Sequence, residues 1–475
     1  MKDKVISSLI WKFLEKSGTQ GIQFILQIIL ARLLLPEDYG VVAIVTVFIT
    51  IANVFVQSGF NTALIQKKTV DDTDYSSVFY LSLTVSILLY VFLFFVSPFI
   101  ASFYDKEILI NVIRVLSLTL PLGAINSIQT AVISRTLSFK KYFFGSLISV
   151  IISGIIGIIL AYLNYGVWAI VIQQLINTSL FTLILWFTVK WRPKLLLSFT
   201  RLKVLFKYGS KLLCSSLIDT IYRNIYDLII GKIYNSSTLA YYNRGKQFPN
   251  IIAINIDGTI SSVMLPTLSS KQDDKVALKK MVRRAIVTSS FFLFPIMIGL
   301  FITAETLVSL VLTDKWLECV PFIQILSISY ALWPIHTANL QAINAIGRSD
   351  IYLKLEILKK IIGIIVLLIT MKYGIYAMAI GQVVTSFTST FINSYPNKKL
   401  LNYSYIEQIK DILPSLLLSI FMGICIYFIK FIFINKILIL LFQIILGIII
   451  YFSLAKLLKF ECFSYLLNNM KYRRR

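Results

Sequence analysis

Apolar runs of about 20 residues recur from one end of this chain to the other, separated by short stretches that carry most of its Lys and Arg. A run of that length crosses the roughly 30 Å hydrocarbon layer as a helix. In hydrocarbon every backbone N–H and C=O has to be satisfied within the segment, so the pattern dictates a bundle of membrane-crossing helices. Strand-like alternation over about ten residues, the pattern of a membrane barrel, is absent. Composition agrees: 57% of the 475 residues are hydrophobic and 14% charged, with a mean hydropathy of +0.80, outside the range of a soluble domain.

By the 20-residue criterion there are about 14 spans. Six lie near 9–34, 41–63, 78–103, 108–133, 143–163 and 167–189. Six more lie near 208–233, 248–268, 286–311, 319–345, 352–371 and 374–395, and two near 412–433 and 437–458. The expected organisation is an N-terminal lobe over 1–189, a basic cytoplasmic connector over 190–207, a C-terminal lobe over 208–395, and a last segment, 396–475, of two helices and a basic cytoplasmic tail. The start, MKDKVISS, leads into a span holding Lys12, Glu15 and Lys16 with no small-residue cleavage site, which reads as an uncleaved first helix.

Assigning loops alternately to the two faces puts roughly 33 Lys and Arg on the side of the termini and about 9 on the other, which makes both ends cytoplasmic. Lys232, Arg244 and Lys246 are the exceptions on the outer side. Outer loops are short and partly acidic, as at 36–38 and 105–107. Two cytoplasmic stretches concentrate the charge. TRLKVLFKYGSK at 200–211 sets Lys203, Lys207 and Lys211 on one stripe, suited to an interfacial helix on anionic headgroups; 271–284 is basic with two acids. Both read first as topology anchors.

The chain repeats itself. YGVWAIVIQQ at 165–174 matches YGIYAMAIGQ at 373–382, and IIGII stands at both 155–159 and 361–365. LARLLLPEDYG at 30–40 has a weaker counterpart in IGKIYNSSTLAYY at 230–242. Six spans separate matching elements, an even number, so the two halves share one orientation as parallel repeats about the membrane normal.

Several functions are excluded. The net charge of +24 is spread between apolar runs and not gathered in a soluble basic module, so nucleic-acid binding is not indicated. Cys214, Cys319, Cys425 and Cys462 show no paired spacing, hence neither a disulfide framework nor a metal site. His336, the single histidine, stands beside Pro334 at a helix kink and reads as structural. No GxxxxGK[ST] loop is present, so the chain is not expected to hydrolyse a nucleotide itself; no hydrolytic or metal motif stands out, and no cofactor is expected. The chain reads as a transporter and not an enzyme.

What remains is a set of polar groups inside apolar helices. Asp219, Arg223 and Asp227 fall at i, i+4 and i+8, one stripe down a helix face. A charge at mid-bilayer costs about 2.5–3.5 kcal/mol on the lenient scale, so this stripe faces protein or water. Thr19, Gln23 and Gln27 repeat the spacing in the first span, after Lys12 and Lys16; Asn53, Gln57 and Asn61 do so in the second. Arg114 interrupts the fourth span, followed by Asn126 and Gln129, and Asp257 the eighth; Gln173, Gln174 and Gln382 mark the sixth and twelfth. Structural readings stand beside these: snorkelling for the lysines, interhelical hydrogen bonds for the amides and an intrahelical ion-pair ladder for the charged stripe. As candidate substrate contacts we take Arg114, Arg223, Lys12, Lys16, Gln23, Gln27, Asn53 and Gln57, a cationic and amide-rich lining for an anionic headgroup. As candidate ion-coupling groups, for H+ or Na+, we take Asp219, Asp227 and Asp257.

With LARLLLPEDYG at 30–40, QSGFNTALIQKK at 57–68, SRTLSFKK at 134–141, DLIIGKI and LAYYNRGKQF within 227–248, and DKW and QAINAIGRSD within 314–350, the chain resembles the WzxC-type polysaccharide flippases of the multidrug/oligosaccharidyl-lipid/polysaccharide exporter superfamily. The resemblance implies a MATE-like all-α fold of two six-helix lobes around a central cavity lined by spans 1 and 7, plus two peripheral helices. It implies flipping of an undecaprenyl-diphosphate-linked oligosaccharide by alternating access in the bacterial inner membrane, for O-antigen, capsule or exopolysaccharide. Expected partners are that polyprenyl-diphosphate-linked glycan, membrane lipid, a glycan polymerase and glycosyltransferases. PEDYG reads as a structural turn. The alternatives are an ion-coupled multidrug antiporter of the same superfamily, for which the cavity would be acidic; a membrane glycan polymerase or ligase, for which the outer loops are short; and an inert scaffold, which leaves the embedded charges unexplained.

Overall fold

The computed structural model describes residues 2–57, 64, 67, 69–269, 271 and 274–463. Among these residues the regular structure is all helical, with no strand. The first half holds α1 (Lys2–Leu14), α2 (Gln20–Leu33), α3 (Pro36–Gln57), α4 (Asp72–Phe103), α5 (Ile108–Leu116), α6 (Thr119–Thr136), α7 (Phe139–Tyr162), α8 (Val167–Thr188) and α9 (Phe199–Ile233). After them come α10 (Ser236–Ser269), α11 (Lys275–Val311), α12 (Val320–Ala331), α13 (Trp333–Ala345), α14 (Ser349–Thr370), α15 (Ile375–Leu401), α16 (Tyr405–Tyr427) and α17 (Lys436–Leu457).

Ten described helices or helix pairs are long and apolar enough to cross a membrane. This is a multi-pass membrane protein; a count of 14 crossings is not established. The helices outside the ten include α9 and α14, whose apolar runs are broken by Asp219, Arg223 and Asp227 and by Lys354, Glu356, Lys359 and Lys360. By packing the chain forms two compact units, Met1–Ala240 and Tyr241–Arg475, and the division falls inside α10.

In the first unit α4 packs on α5 and α6, α6 on α8, α7 on α8, and α9 on α3. Capping chemistry sets several helix starts. Asp71 and Asp74 form a reciprocal capping box at α4, each carboxylate accepting the other residue's amide at 3.0 and 3.3 Å. Pro36 opens α3, where a missing N–H costs nothing. The first span is α1 and α2 joined by a π-helical turn, Glu15–Thr19.

The cationic stretch 200–211 is not a separate interfacial helix. Phe199–Ile233 is one uninterrupted helix of 35 residues: Gly209, between its basic start and apolar remainder, is tolerated inside the helix, and no Pro follows to end it. Its Lys207 and Lys211 side chains, like the tail beyond 463 and nearly all of the 57–68 motif with Asn61, lie outside the described residues.

In the second unit α11 packs on α12 and α16, α12 on α15, α14 on α15, and α16 on α17. Arg283 joins three segments: Nε lies 2.9 Å from Asp411 Oδ1, and Nη1 and Nη2 make a fork on Glu461 at 3.1 and 2.9 Å. That guanidinium holds the Glu461 carboxyl below its usual range. Tyr403 Oη donates to Asp411 Oδ2 at 2.7 Å, completing the tie.

The repeat is visible in local geometry. Gly166 (φ +52°) and Gly374 (φ +107°) precede α8 and α15, both in a backbone region that L side chains avoid. Thr182 and Thr390 stand at equal distances after these glycines. Each bonds to a helix of its own unit: Asn126 Nδ2 donates to Thr182 Oγ1 at 3.0 Å, and Thr390 Oγ1 meets His336 Nε2 at 3.2 Å.

Candidate functional site

The charged stripe on α9 has helical geometry. Arg223 Nε lies 2.8 Å from Asp219 Oδ2, one turn away. The Arg223 side chain is 74% exposed, so most of its fork faces open space, while Asp227 is buried at 9% exposure. An exposed guanidinium on a protein this apolar is costly against lipid and well suited to an anionic ligand.

The first-span candidates divide. Lys12 lies 3.5 Å from Glu15 Oε2 and over the rings of Phe139 and Tyr142 on α7, at 5.1 and 5.3 Å from their centroids. The Lys16 side chain lies outside the described residues. Gln23 is exposed and Gln27 half-buried. In the second span Gln57 Nε2 donates to Asn53 Oδ1 at 3.4 Å, and these two amides lie over Gly123 of α6, where an added Cβ would stand 3.3 Å from the Gln57 amide.

Arg114 is engaged with its own hairpin. Nε donates to Ser97 Oγ at 3.2 Å and to the Phe94 carbonyl at 3.4 Å, and the guanidinium sits 4.2 Å from the centre of the Phe94 ring. Asp257, half-buried, accepts from Thr337 Oγ1 on α13. The structure thus brings together Arg223 with Asp219 and Asn53 with Gln57, whereas Arg114 and Asp257 each have separate local partners. Among the described residues no group of three or more His, Cys, Asp or Glu could hold a metal.

Sequence reasoning missed a polar hub in the second unit. Asn339 Nδ2 donates to Gln408 Oε1 at 2.8 Å, and Asn339 Oδ1 accepts from Asn397 Nδ2 and Gln408 Nε2 at 2.7 and 3.0 Å, joining α13, α15 and α16. Beside it both nitrogens of His336 are used. Asn393 Nδ2 lies 3.3 Å from Nδ1, and Nε2 faces Ser386 and Thr390, whose own hydroxyl protons go to backbone carbonyls. That arrangement places the ring proton on Nε2 and gives His336 a structural role. An apolar cavity of about 590 Å3 in the same unit, lined by Phe294, Ile298, Leu332, Ile335 and Ile420, offers hydrocarbon contact and no charge.

The motifs quoted from the sequence lie mostly in helices and make local contacts there, and PEDYG is not a separate turn but the first residues of α3, since Pro36 suits a helix start. Asp38 accepts from Leu35 N at 3.1 Å and from the Val167 amide, Glu37 pairs with Lys106, and an added Cβ on Gly40 would collide with the backbone of Ser236. Lys232, out of place by the charge rule, lies 3.1 Å from Asp105 and over the Phe103 ring. Arg135 Nη1 donates to the carbonyls of Leu64 and Lys67, both at 2.7 Å. Tyr242 accepts from Gln382, and Arg244 donates to Gln247 Oε1 at 2.7 Å over the Trp316 ring.

A family model described as polysaccharide biosynthesis protein matches residues 29–321, well over half the chain. The chain belongs to the polysaccharide biosynthesis protein family. Similar family proteins include the teichuronic acid biosynthesis protein TuaB of Bacillus subtilis, 25% identical over 302 residues, and the succinoglycan biosynthesis transport protein ExoT of Rhizobium meliloti, 23% identical over 319. These matches cover 63% and 67% of this chain but only 62% and 65% of those proteins, just under two thirds of each. The lipopolysaccharide biosynthesis protein WzxC of Escherichia coli is 22% identical over 441 residues, covering 89% of this chain and 88% of its own. Among solved structures the lipid II flippase MurJ, in an inward closed conformation, superposes with a TM-score of 0.78 at 17% identity, covering 95% of this chain and 98% of that one. An inward-facing multidrug MATE transporter of the MOP superfamily gives 0.62 at 15%, covering 84% and 99%. At these identities the likeness shows the fold: this family member is built like the MOP exporters.

Proposed function

We propose that this chain flips an undecaprenyl-diphosphate-linked oligosaccharide from the cytoplasmic to the outer leaflet of the bacterial inner membrane, by alternating access, for surface polysaccharide assembly. The observation that carries the reading is the Arg223–Asp219 pair, an open guanidinium held by one carboxylate on a multi-pass membrane protein of a polysaccharide biosynthesis family. A guanidinium fork matches a diphosphate bidentately, and protonating Asp219 frees it for that contact. Coupling to H+ or Na+ follows, with Asp227 and Asp257 as the further carboxylates. Gln23, Gln27, Asn53 and Gln57 supply amides for sugar hydroxyls, with Lys12 and Lys16 towards the cytoplasmic headgroups. The excess of Lys and Arg on one face supports a cytoplasmic location for both termini. No cofactor and no covalent chemistry are invoked, and the glycan comes from glycosyltransferases and goes to a polymerase.

Deleting the gene tests the reading. Lipid-linked oligosaccharide is expected to accumulate on the cytoplasmic leaflet and to be cleared by this chain but not by its Arg223→Ala variant. If export of cationic drugs is restored instead, with no effect on the lipid-linked glycan, the multidrug antiporter reading replaces it.

A further inference from the structure

The connector between α8 and α9 carries an apolar prong. Leu195, Leu196 and Leu197 are 94%, 41% and 52% exposed, and Phe199 is 76% exposed. Three consecutive leucines on an irregular segment, with Phe199 at the start of α9, form a patch that water disfavours.

The segment is held in place on both sides. The Lys194 amide donates to Ser76 Oγ and the Ser198 amide to Ser77 Oγ, each at 3.0 Å, so two hydroxyls of α4 pin the backbone on either side of the leucines. Two ion pairs reinforce the pins, Lys194 with Asp72 at 2.6 Å and Arg201 with Asp71. Trp191 packs on Tyr75 and Phe79 just before them. The backbone of the prong is therefore tied to α4 on both sides of the leucines.

Its depth follows from α4. That helix has 32 residues, about 48 Å at 1.5 Å per residue, against a hydrocarbon layer of roughly 30 Å. Ser76 and Ser77 stand in its first two turns, and a helix this much longer than the hydrocarbon layer carries its ends towards the headgroups. Among the described residues Lys67, Lys194 and Arg201 pair with Asp74, Asp72 and Asp71, while Lys190 and Lys203, which flank the prong in the chain, are exposed, so the local balance is cationic.

We propose that residues 195–199 insert among the acyl chains of one leaflet while Lys190 and Lys203 hold anionic lipid headgroups, making this connector a docking site for an anionic membrane surface. Leucine side chains supply the apolar contact, and each exposed cation near an anionic surface adds about fivefold to the preference for it.

The test uses the full chain with Cys214→Ser and Leu195→Cys, labelled with an environment-sensitive dye, in nanodiscs of phosphatidylcholine alone or with one third phosphatidylglycerol. Brominated phosphatidylglycerol is expected to quench the dye severalfold more than the same amount of brominated phosphatidylcholine. The Lys190→Gln, Lys203→Gln pair, which leaves every pin intact, is expected to abolish that preference. A dye as solvated in discs as in detergent, equal quenching by the two lipids, or a signal appearing only with two copies per disc would each overturn the proposal. The readout does not require transport, so its failure and that of the flippase reading are separate.

Discussion

The Asp38 carboxylate and the Val167 amide are hydrogen-bonded, although the same carboxylate also accepts from Leu35. One side chain thus caps the starts of α3 and α8, where the first amides have no intrahelical partner. Losing one cap costs about 0.5–2 kcal/mol, so Asp38→Ala should destabilise the first unit by about 1–3 kcal/mol and Asp38→Asn by less. Thermal unfolding in detergent measures both; equal losses would mean that charge and not capping matters here.

Asp219→Asn separates the structural from the functional reading of the stripe. An exposed pair at this spacing contributes at most about 0.5 kcal/mol to stability, so the melting midpoint should hardly move. Transport of the lipid-linked glycan should fall roughly tenfold or more and lose its pH dependence if the carboxylate gates Arg223, since a charge-assisted bond is worth about 1.5–3 kcal/mol. Flux in proteoliposomes across a pH range reads this directly. Normal flux in Asp219→Asn, Asp227→Asn and the double variant would remove ion coupling from the stripe.

Asn339 is fully committed, donating twice and accepting twice inside the second unit. Asn339→Leu would strand the Gln408 amide, at about 1–3 kcal/mol for a buried group left without a partner, and leave Asn397 Nδ2 with only the residue 339 carbonyl, 3.3 Å away. Adding Asn397→Leu and Gln408→Leu should recover part of the loss, because an apolar trio leaves nothing unsatisfied. Unfolding midpoints of the single and triple variants check the order.

Arg201 beside Asp71 holds that carboxyl down from 3.8 to about 2. A depressed carboxyl contributes stability above its unfolded value and loses it as pH falls through the folded one. The tie between the connector and α4 should therefore persist to about pH 4 and weaken between about pH 4 and 2. Arg201→Gln should return the Asp71 titration to the ordinary range. Amide exchange of 194–199 at graded pH follows the release.

The helices themselves were legible because each apolar run has the length that membrane crossing demands, and Gly166 and Gly374 mark helix starts in a manner only their backbone angles explain. The α9 stripe was legible too, since a spacing of four is a local property. What escaped was whatever depends on a partner far along the chain. Arg114 looks free in the sequence, yet its ring and hydroxyl partners are on the preceding span. Asn339, Asn397 and Gln408 stand on three different helices; amides within apolar runs were the signal, and only packing says which meet. The cations at the start of α9 mark a change of chemistry along one continuous helix, which a charge pattern alone does not distinguish from a helix boundary.

The π-helical turn at Glu15–Thr19 inserts one residue beyond the regular winding of the first span. Everything before it is rotated by roughly 100° relative to an unbroken helix, so Lys12 and Gln23 no longer share an azimuth. The amino-terminal cation is thereby steered onto the aromatic side of α7 while the glutamines keep another bearing, and trimming a single residue from that turn would swing them back into line.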